Sequence, residues 1–79
     1  MPTVLRIGAL RFFFYSNEWG EPAHIHIQRD NKHAKFWLDP VRLSHSTRFS
    51  AKELRDLEKI VLENHTLLME AWNDYFTQR

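Results

Sequence analysis

The hydrophobic pattern of this chain changes its period once, at Phe49. Before that residue, short runs alternate apolar and polar side chains between Gly, Pro, Asn and Asp, which is typical of half-buried strands and turns. After it, apolar side chains recur every three or four residues, as on one face of a helix. The sequence therefore predicts a single α+β domain, with residues 1–48 as its β-rich part and residues 50–77 as its helical part.

The first predicted hairpin joins residues 3–7 to residues 10–16. Gly8 stands first in the two-residue loop Gly8-Ala9, as a type II′ turn prefers. The resulting register pairs apolar side chains on one face of the hairpin: Ile7 with Leu10, Leu5 with Phe12, and Thr3 with Phe14. The opposite face receives Val4, Arg6, Arg11, Phe13 and Tyr15.

The second predicted hairpin joins residues 24–29 to residues 32–38 through Asp30-Asn31. A two-residue turn aligns the apolar side chains across the hairpin, Ile27 with Ala34 and Ile25 with Phe36, whereas a three-residue loop would not. The other face then pairs His26 with Lys35, His24 with Trp37, and Gln28 with His33. Pro40 ends the strand, and residues 41–45 are expected to add a short strand at an edge. The expected sheet is antiparallel, with three or four strands built from two N-terminal hairpins.

The helical part begins with a clear start signal. Ser50 and Glu53 form a capping box, and Phe49 and Leu54 a hydrophobic staple. We expect one long amphipathic helix that covers one face of the sheet, with a kink or break at Asn64-His65, where the apolar stripe is weakest. Unbroken, it would run roughly 40 Å and overhang a small sheet. Its last turns would then fold back or form a homodimer contact.

Composition narrows the class of protein. The 79 residues include no Cys, and no run approaches the length of a membrane span. Met1-Pro2-Thr3 does not resemble a signal peptide, so we expect a cytoplasmic protein without a membrane partner. The net charge is +1, but residues 1–50 carry seven Lys/Arg against four Asp/Glu (+3) and residues 51–79 carry four against six (−2). The basic residues therefore collect on the sheet.

One helix can cover only one face of the sheet, and the face with Leu5, Phe12, Ile25 and Phe36 is the natural choice. The other face would be exposed, and exposed aromatics mixed with cations usually mark a binding surface. Besides Phe13 and Val4, this face is expected to show the following side chains: Arg6, Arg11, Tyr15, His24, His26, Lys35 and Trp37.

His24 and His26 form an H-x-H pair whose rings point to the same side of a strand. Such rings act as an acid and a base beside a phosphate, or bind a metal if Glu21 or Glu18 supplies a third ligand. Two ordinary surface histidines give the same pattern. His33 and His45 lie near turns and are expected to face solvent. With only two glycines and no glycine-rich loop, no cofactor is expected.

Several segments in order resemble a small bacterial family, the domain of unknown function 4160. They are MPTVLRIG, RFFFYS, EPAHIHI, AKFWLDP, FSA and, near the end of the helix, EAWN. The resemblance covers nearly the whole chain, although Ala23 stands where the family often has a second Pro. It implies a protein encoded beside another small protein, in an arrangement like a toxin–antitoxin pair.

Three hypotheses follow. The first is a toxin-like component that acts on RNA, as a metal-independent ribonuclease with His24, His26 and Lys35 as catalytic residues. Arg6, Arg11, Tyr15 and Trp37 would bind the substrate. The second is a non-enzymatic protein-binding module, the antitoxin or partner half of such a pair. The third is a metal-dependent hydrolase that uses His24, His26 and Glu21. The expected partners are the neighbouring gene product and RNA.

Overall fold

The computed structural model describes residues 3–15 and 20–77. Over these residues, five antiparallel strands follow one another across a single sheet: β1 (Thr3–Ile7), β2 (Leu10–Phe13), β3 (His24–Arg29), β4 (Lys32–Leu38) and β5 (Val41–Thr47). Two helices complete the fold, α1 (Ala51–Glu63) and α2 (His65–Thr77). The α+β class is confirmed. The sheet has five strands and not the predicted three or four; the expected edge strand at residues 41–45 is present as β5 and continues to Thr47.

The second hairpin has the predicted register. Ile27 lies opposite Ala34 and Ile25 opposite Phe36, around a two-residue turn in which Asp30 has a φ of 54°. Asp39-Pro40, joined by a cis peptide bond, forms the next turn, so β4 ends where Pro40 predicted. The apolar alternation and the loop length together were sufficient to fix this register.

The first hairpin departs from its predicted register near its open end. The pairs nearest the turn are as predicted, but Thr3 lies opposite Phe13 instead of Phe14, because the register shifts between Thr3 and Leu5. Val4 is the extra residue of this irregularity, and it packs against the hydrophobic core instead of lying on the opposite face. Ser16, the predicted end of β2, and Glu18, a predicted alternative metal ligand, lie outside the described residues.

The helical part is two helices and not one. The capping box is present: the Glu53 amide donates to Ser50 Oγ (3.1 Å) and the Ser50 amide to Glu53 Oε1 (2.8 Å). α1 ends at Asn64, whose side-chain amide donates to the Ile60 carbonyl, and the His65 ring donates to the Leu38 carbonyl of β4. The break therefore lies at the predicted position, Asn64-His65. Phe76, near the end of α2, packs on Phe14, and the homodimer stays a prediction.

The hydrophobic core lies between one face of the sheet and both helices. Phe12, Ile25 and Phe36 are buried there, as predicted. α1 contributes Leu57 and Val61 to this core, and α2 contributes Leu68 and Trp72. In the described part of the chain, no helix is long and apolar enough to cross a membrane.

Candidate functional site

The sheet face opposite the helices is organised in three cross-strand rows. Because neighbouring strands pair directly, each row contains one residue from each strand that it crosses, and its side chains share this face. The first row comprises Arg6, Arg11, Gln28, His33 and Thr47. The second row comprises Thr3, Phe13, His26, Lys35 and His45. The third row comprises His24, Trp37 and Arg42. Six of the seven predicted site residues lie in these rows; the seventh, Tyr15, follows β2.

The two histidines of the H-x-H pair are buried, contrary to the expectation that they are exposed. His24 is 0% exposed and His26 is 5% exposed. The His24 ring lies 4.8 Å from the ring of Trp72, a residue of α2, and its Nδ1 donates to the Pro22 carbonyl (3.0 Å). His26 stacks on Phe13 at 5.5 Å, a contact that only the unpredicted β2–β3 pairing provides. Alternation gave the face of these rings correctly, but not their burial.

Four of the five histidines form a continuous line of ring contacts across this face. The ring centroids are 5.1 Å apart from His24 to His26, 5.2 Å from His26 to His33, and 5.8 Å from His33 to His45. Within this line, His26 Nδ1 and His33 Nε2 lie at hydrogen-bond distance, 3.0 Å. One of these nitrogens must donate and the other accept, so at least one of the two rings is neutral. The pair can therefore hold and pass on a proton.

Sequence reasoning missed His33 and His45 as members of this site, because both lie near turns. The signal was nevertheless present in the predicted register. That register already placed Gln28 opposite His33, on the same face as His26. A residue one row away on the neighbouring strand is within reach of a long or aromatic side chain. The diagonal from His26 to His33 was therefore available from the sequence alone.

The cationic side chains of this face differ in whether a carboxylate neutralises their charge. Lys35 Nζ lies 2.9 Å from Glu21 Oε1 and 4.5 Å from the Trp37 ring centroid, and its side chain is only 12% exposed. The Arg11 guanidinium lies 4.4 Å from the Phe13 ring centroid, and its Nε donates to Thr3 Oγ1 (2.9 Å). Within residues 3–15 and 20–77, neither Arg6 nor Arg11 has an ion-pair partner.

The aromatic side chains of the face pack against its histidines. Tyr15 is 37% exposed, and its ring centroid lies 4.8 Å from that of His26 and 5.4 Å from that of Phe13. Trp37 is half-buried, 5.7 Å from the His24 ring. Both keep accessible surface, whereas Phe13 is buried. Tyr15 and Trp37 are therefore the two predicted aromatic residues that a ligand can reach.

The described residues include no cluster of ligands that supports the alternative prediction of a metal site. Among the residues that the structure describes, no group of three His, Cys, Asp or Glu side chains is placed to hold a metal ion. Glu21 Oε1 lies 3.8 Å from His24 Nδ1, but that nitrogen carries the proton donated to Pro22. A protonated Nδ1 has no lone pair for a metal, so this nitrogen and Glu21 do not form a pair of metal ligands.

Comparison with known proteins gives a family and no assigned activity. No curated protein and no solved structure matches the chain significantly. The model of one family, described as Domain of unknown function (DUF4160), matches residues 9–73. That match covers most of the chain, including all of β2 to β5 and the histidine line. The chain therefore belongs to the DUF4160 family.

Proposed function

We propose that this protein acts on RNA as the toxin-like component of a two-gene module, and that it cleaves RNA without a metal ion. The observation that carries the proposal is the 3.0 Å contact between His26 and His33, on the face where Arg6 and Arg11 of the first row have no ion-pair partner among the described residues. Metal-independent cleavage of RNA requires proton transfer by side chains and cations around the phosphate. This face supplies both. The family context implied by the sequence agrees with such a role.

The proposed reaction is an internal transfer at phosphorus. An imidazole takes the proton of the ribose 2′-hydroxyl, the 2′-oxygen forms a bond to phosphorus, and the bond from phosphorus to the 5′-oxygen breaks. A protonated group returns a proton to that leaving oxygen. The products are a 2′,3′-cyclic phosphate and a 5′-hydroxyl end, and no oxidant or further reactant is consumed. In this proposal His26 acts within the His26–His33 pair, and Lys35 and Arg11 stabilise the phosphate charge.

His24 has a different part in this proposal from the one expected from the sequence. Because its ring is buried against Trp72 and bonded to the Pro22 carbonyl, it would position His26 and not touch the substrate. Tyr15 and Trp37 have accessible rings beside His26 and Lys35, where nucleotide bases could stack. Arg6 and Arg11 would bind phosphates.

The test is an in-vitro cleavage assay with a labelled single-stranded RNA in the presence of EDTA. We expect the purified protein to release fragments that end in a 2′,3′-cyclic phosphate, identified by mass. His26→Gln is expected to lower the rate by roughly 10²- to 10⁴-fold. Arg55→Gln, an exposed change on α1, should cleave at the wild-type rate. Absence of cleavage by a folded wild-type protein, or cleavage that EDTA abolishes, would contradict the proposal.

A second candidate function is a non-enzymatic protein-binding module, the antitoxin or partner half of the pair. It is favoured by the burial of His24 and by the Glu21–Lys35 ion pair, which are features of a packed, stabilising surface. This candidate predicts a stable complex with the neighbouring gene product and no RNA cleavage. Light scattering of the co-expressed pair, together with the cleavage assay, separates the two functions.

A further inference from the structure

The first row differs from the other two rows in its accessibility and charge. Its members are Arg6, Arg11, Gln28, His33 and Thr47. All are exposed or half-buried, whereas the second and third rows contain the buried Phe13, His24 and His26. The row contains no carboxylate and no apolar side chain. It is therefore a polar strip that crosses all five strands with an excess of positive charge.

Two arginines lie directly opposite each other at one end of this strip. Arg6 pairs with Arg11 across β1 and β2, and like charges in this position destabilise a sheet. Within the described residues neither guanidinium has a carboxylate partner to offset that cost. An anion bound between them would reduce the repulsion and accept from Arg6 and from those Arg11 N–H groups that are not bonded to Thr3 Oγ1. The pair therefore has the properties of a phosphate site.

His33 lies in the same strip, two strands away from Arg11. The His33 side chain is more accessible than the His26 side chain, and His33 Nε2 lies 3.0 Å from His26 Nδ1. A half-buried ring with a buried ring behind it is both fixed in orientation and able to exchange a proton. Of the two rings in the pair, His33 is therefore the one that meets a ligand on the surface.

We infer that a single strand of RNA crosses the sheet along the first row, perpendicular to the strands, with phosphates at Arg6 and Arg11. His33 then contacts the phosphate that is cleaved, and His26 is its positioning residue. This inference rests on the proposed function and names the path of its substrate. Neighbouring strands lie about 4.8 Å apart, so the row spans roughly 19 Å from β1 to β5. That length accommodates several backbone phosphates.

An acidic protein segment is a poorer fit to this strip. Specific protein interfaces centre on buried apolar or aromatic anchors, and the first row has none. Nucleic-acid backbones are instead held by Arg, amide and hydroxyl donors of the kinds found here. The accessible ring of Tyr15 lies to one side of the strip, where a base could stack.

The path is tested by the salt dependence of RNA binding, followed as fluorescence anisotropy of a labelled single strand. Arg6→Gln/Arg11→Gln removes two charges from the first row, and Arg55→Gln/Lys59→Gln removes two exposed charges from α1. We expect the first-row double variant to lower the slope of log K against log salt by about 1.4 and to weaken binding roughly 10- to 100-fold at 50 mM salt. The α1 double variant should behave as wild type.

The outcomes separate this inference from the proposed function. If wild-type protein binds and cleaves RNA but the two double variants lose affinity equally, the path is wrong and the function stands. If wild-type protein neither binds nor cleaves RNA, both the RNA path and the proposed function are wrong. A single-stranded DNA of the same sequence should bind along the same path without being cleaved, because it lacks the 2′-hydroxyl. Displacement of RNA by polyglutamate as readily as by unlabelled RNA would overturn the assignment to a nucleic acid.

The role of His33 is tested separately by kinetics. His33→Asn is expected to lower kcat by roughly 10²-fold or more with little change in RNA affinity. His26→Asn should shift the pH profile of kcat, because it changes the hydrogen-bond partner of the His33 ring. Arg55→Gln, the exposed change on α1, should keep the wild-type kcat. A loss of kcat in Arg55→Gln as large as that in His33→Asn would contradict the role of His33.

Discussion

His24 is the residue whose burial changes its interpretation most. Its ring contacts His26, Trp37 and Trp72, and its Nδ1 donates to the Pro22 carbonyl. We expect His24→Ala to lower the free energy of unfolding by about 2–4 kcal/mol, because it leaves a cavity and an unsatisfied carbonyl. His45→Ala, at an exposed position on the same face, should change it by no more than about 0.5 kcal/mol. Urea unfolding checks both; equal stability of the two variants would contradict this account.

Glu53 makes the stability of the α1 N-terminus depend on pH. Its carboxylate accepts from Lys32 Nζ (2.8 Å) and from the Ser50 amide (2.8 Å), and these bonds lower its pKa from 4.5 to about 2. The folded-state pKa lies below the unfolded one, so the stabilisation is present above pH 4.5 and is lost as the pH falls towards 2.

Thermal unfolding between pH 6 and pH 2.5 tests this linkage. We expect the wild type to lose stability over this range more steeply than Glu53→Gln, and the difference between the two proteins to shrink as the pH falls. Glu58→Gln, on the same helix, is the matched control and should follow the wild type. If stability depends on pH in the same way in wild type and Glu53→Gln, the hydrogen-bonded carboxylate does not contribute to the pH dependence of stability.

At the level of single residues, the sequence predicted the face of a side chain better than its environment. Alternation along β3 and β4 correctly placed His24, His26 and Lys35 on one face. It could not show that Phe13 stacks on His26, because that contact depends on the pairing of β2 with β3 across a loop. Nor could it show that Trp72 reaches His24, because that depends on where the helices turn.

Among the turns, the one at Gly8 depends most on its residue type. Gly8 has a φ of 57°, which favours glycine, and an added Cβ would meet nothing within 4 Å. Gly8→Ala should therefore lower the free energy of unfolding through backbone strain alone, by about 1–2 kcal/mol. Gly20→Ala is the control, since Gly20 has equally open space and no positive φ. Urea unfolding of the pair tests the turn; a larger loss for Gly20→Ala would contradict it.

At the level of elements, the sequence predicted the register of β3 and β4 and the position of the helix break, but not the contact made at that break. A two-residue loop between two alternating runs leaves one register that aligns the apolar side chains, and that register is observed. A weak point in the apolar stripe predicted a kink or break at Asn64-His65, and the two helices are separated there. What fixes it is the bond from the His65 ring to the Leu38 carbonyl, a contact 27 positions away along the chain. Local patterns contain no information on such a contact.

The whole molecule separates its charge between its two layers. The residues of the β-rich half, 1–50, carry a net +3, and residues 51–79 carry a net −2. The first row lies on the sheet face turned away from the acidic helices. A polyanion is therefore attracted to that face and repelled from the helical layer, before any specific contact forms.

This separation predicts how a neutralising partner would work. If a protein partner blocks the proposed RNA action by competition, it covers the first row, so we expect it to displace labelled RNA in an anisotropy assay. Arg6→Gln/Arg11→Gln should weaken the partner complex, and should do so more at low salt than at high salt, because the attraction is electrostatic. Arg55→Gln/Lys59→Gln should leave that complex unchanged. A ternary complex of protein, partner and RNA would contradict competition for the first row.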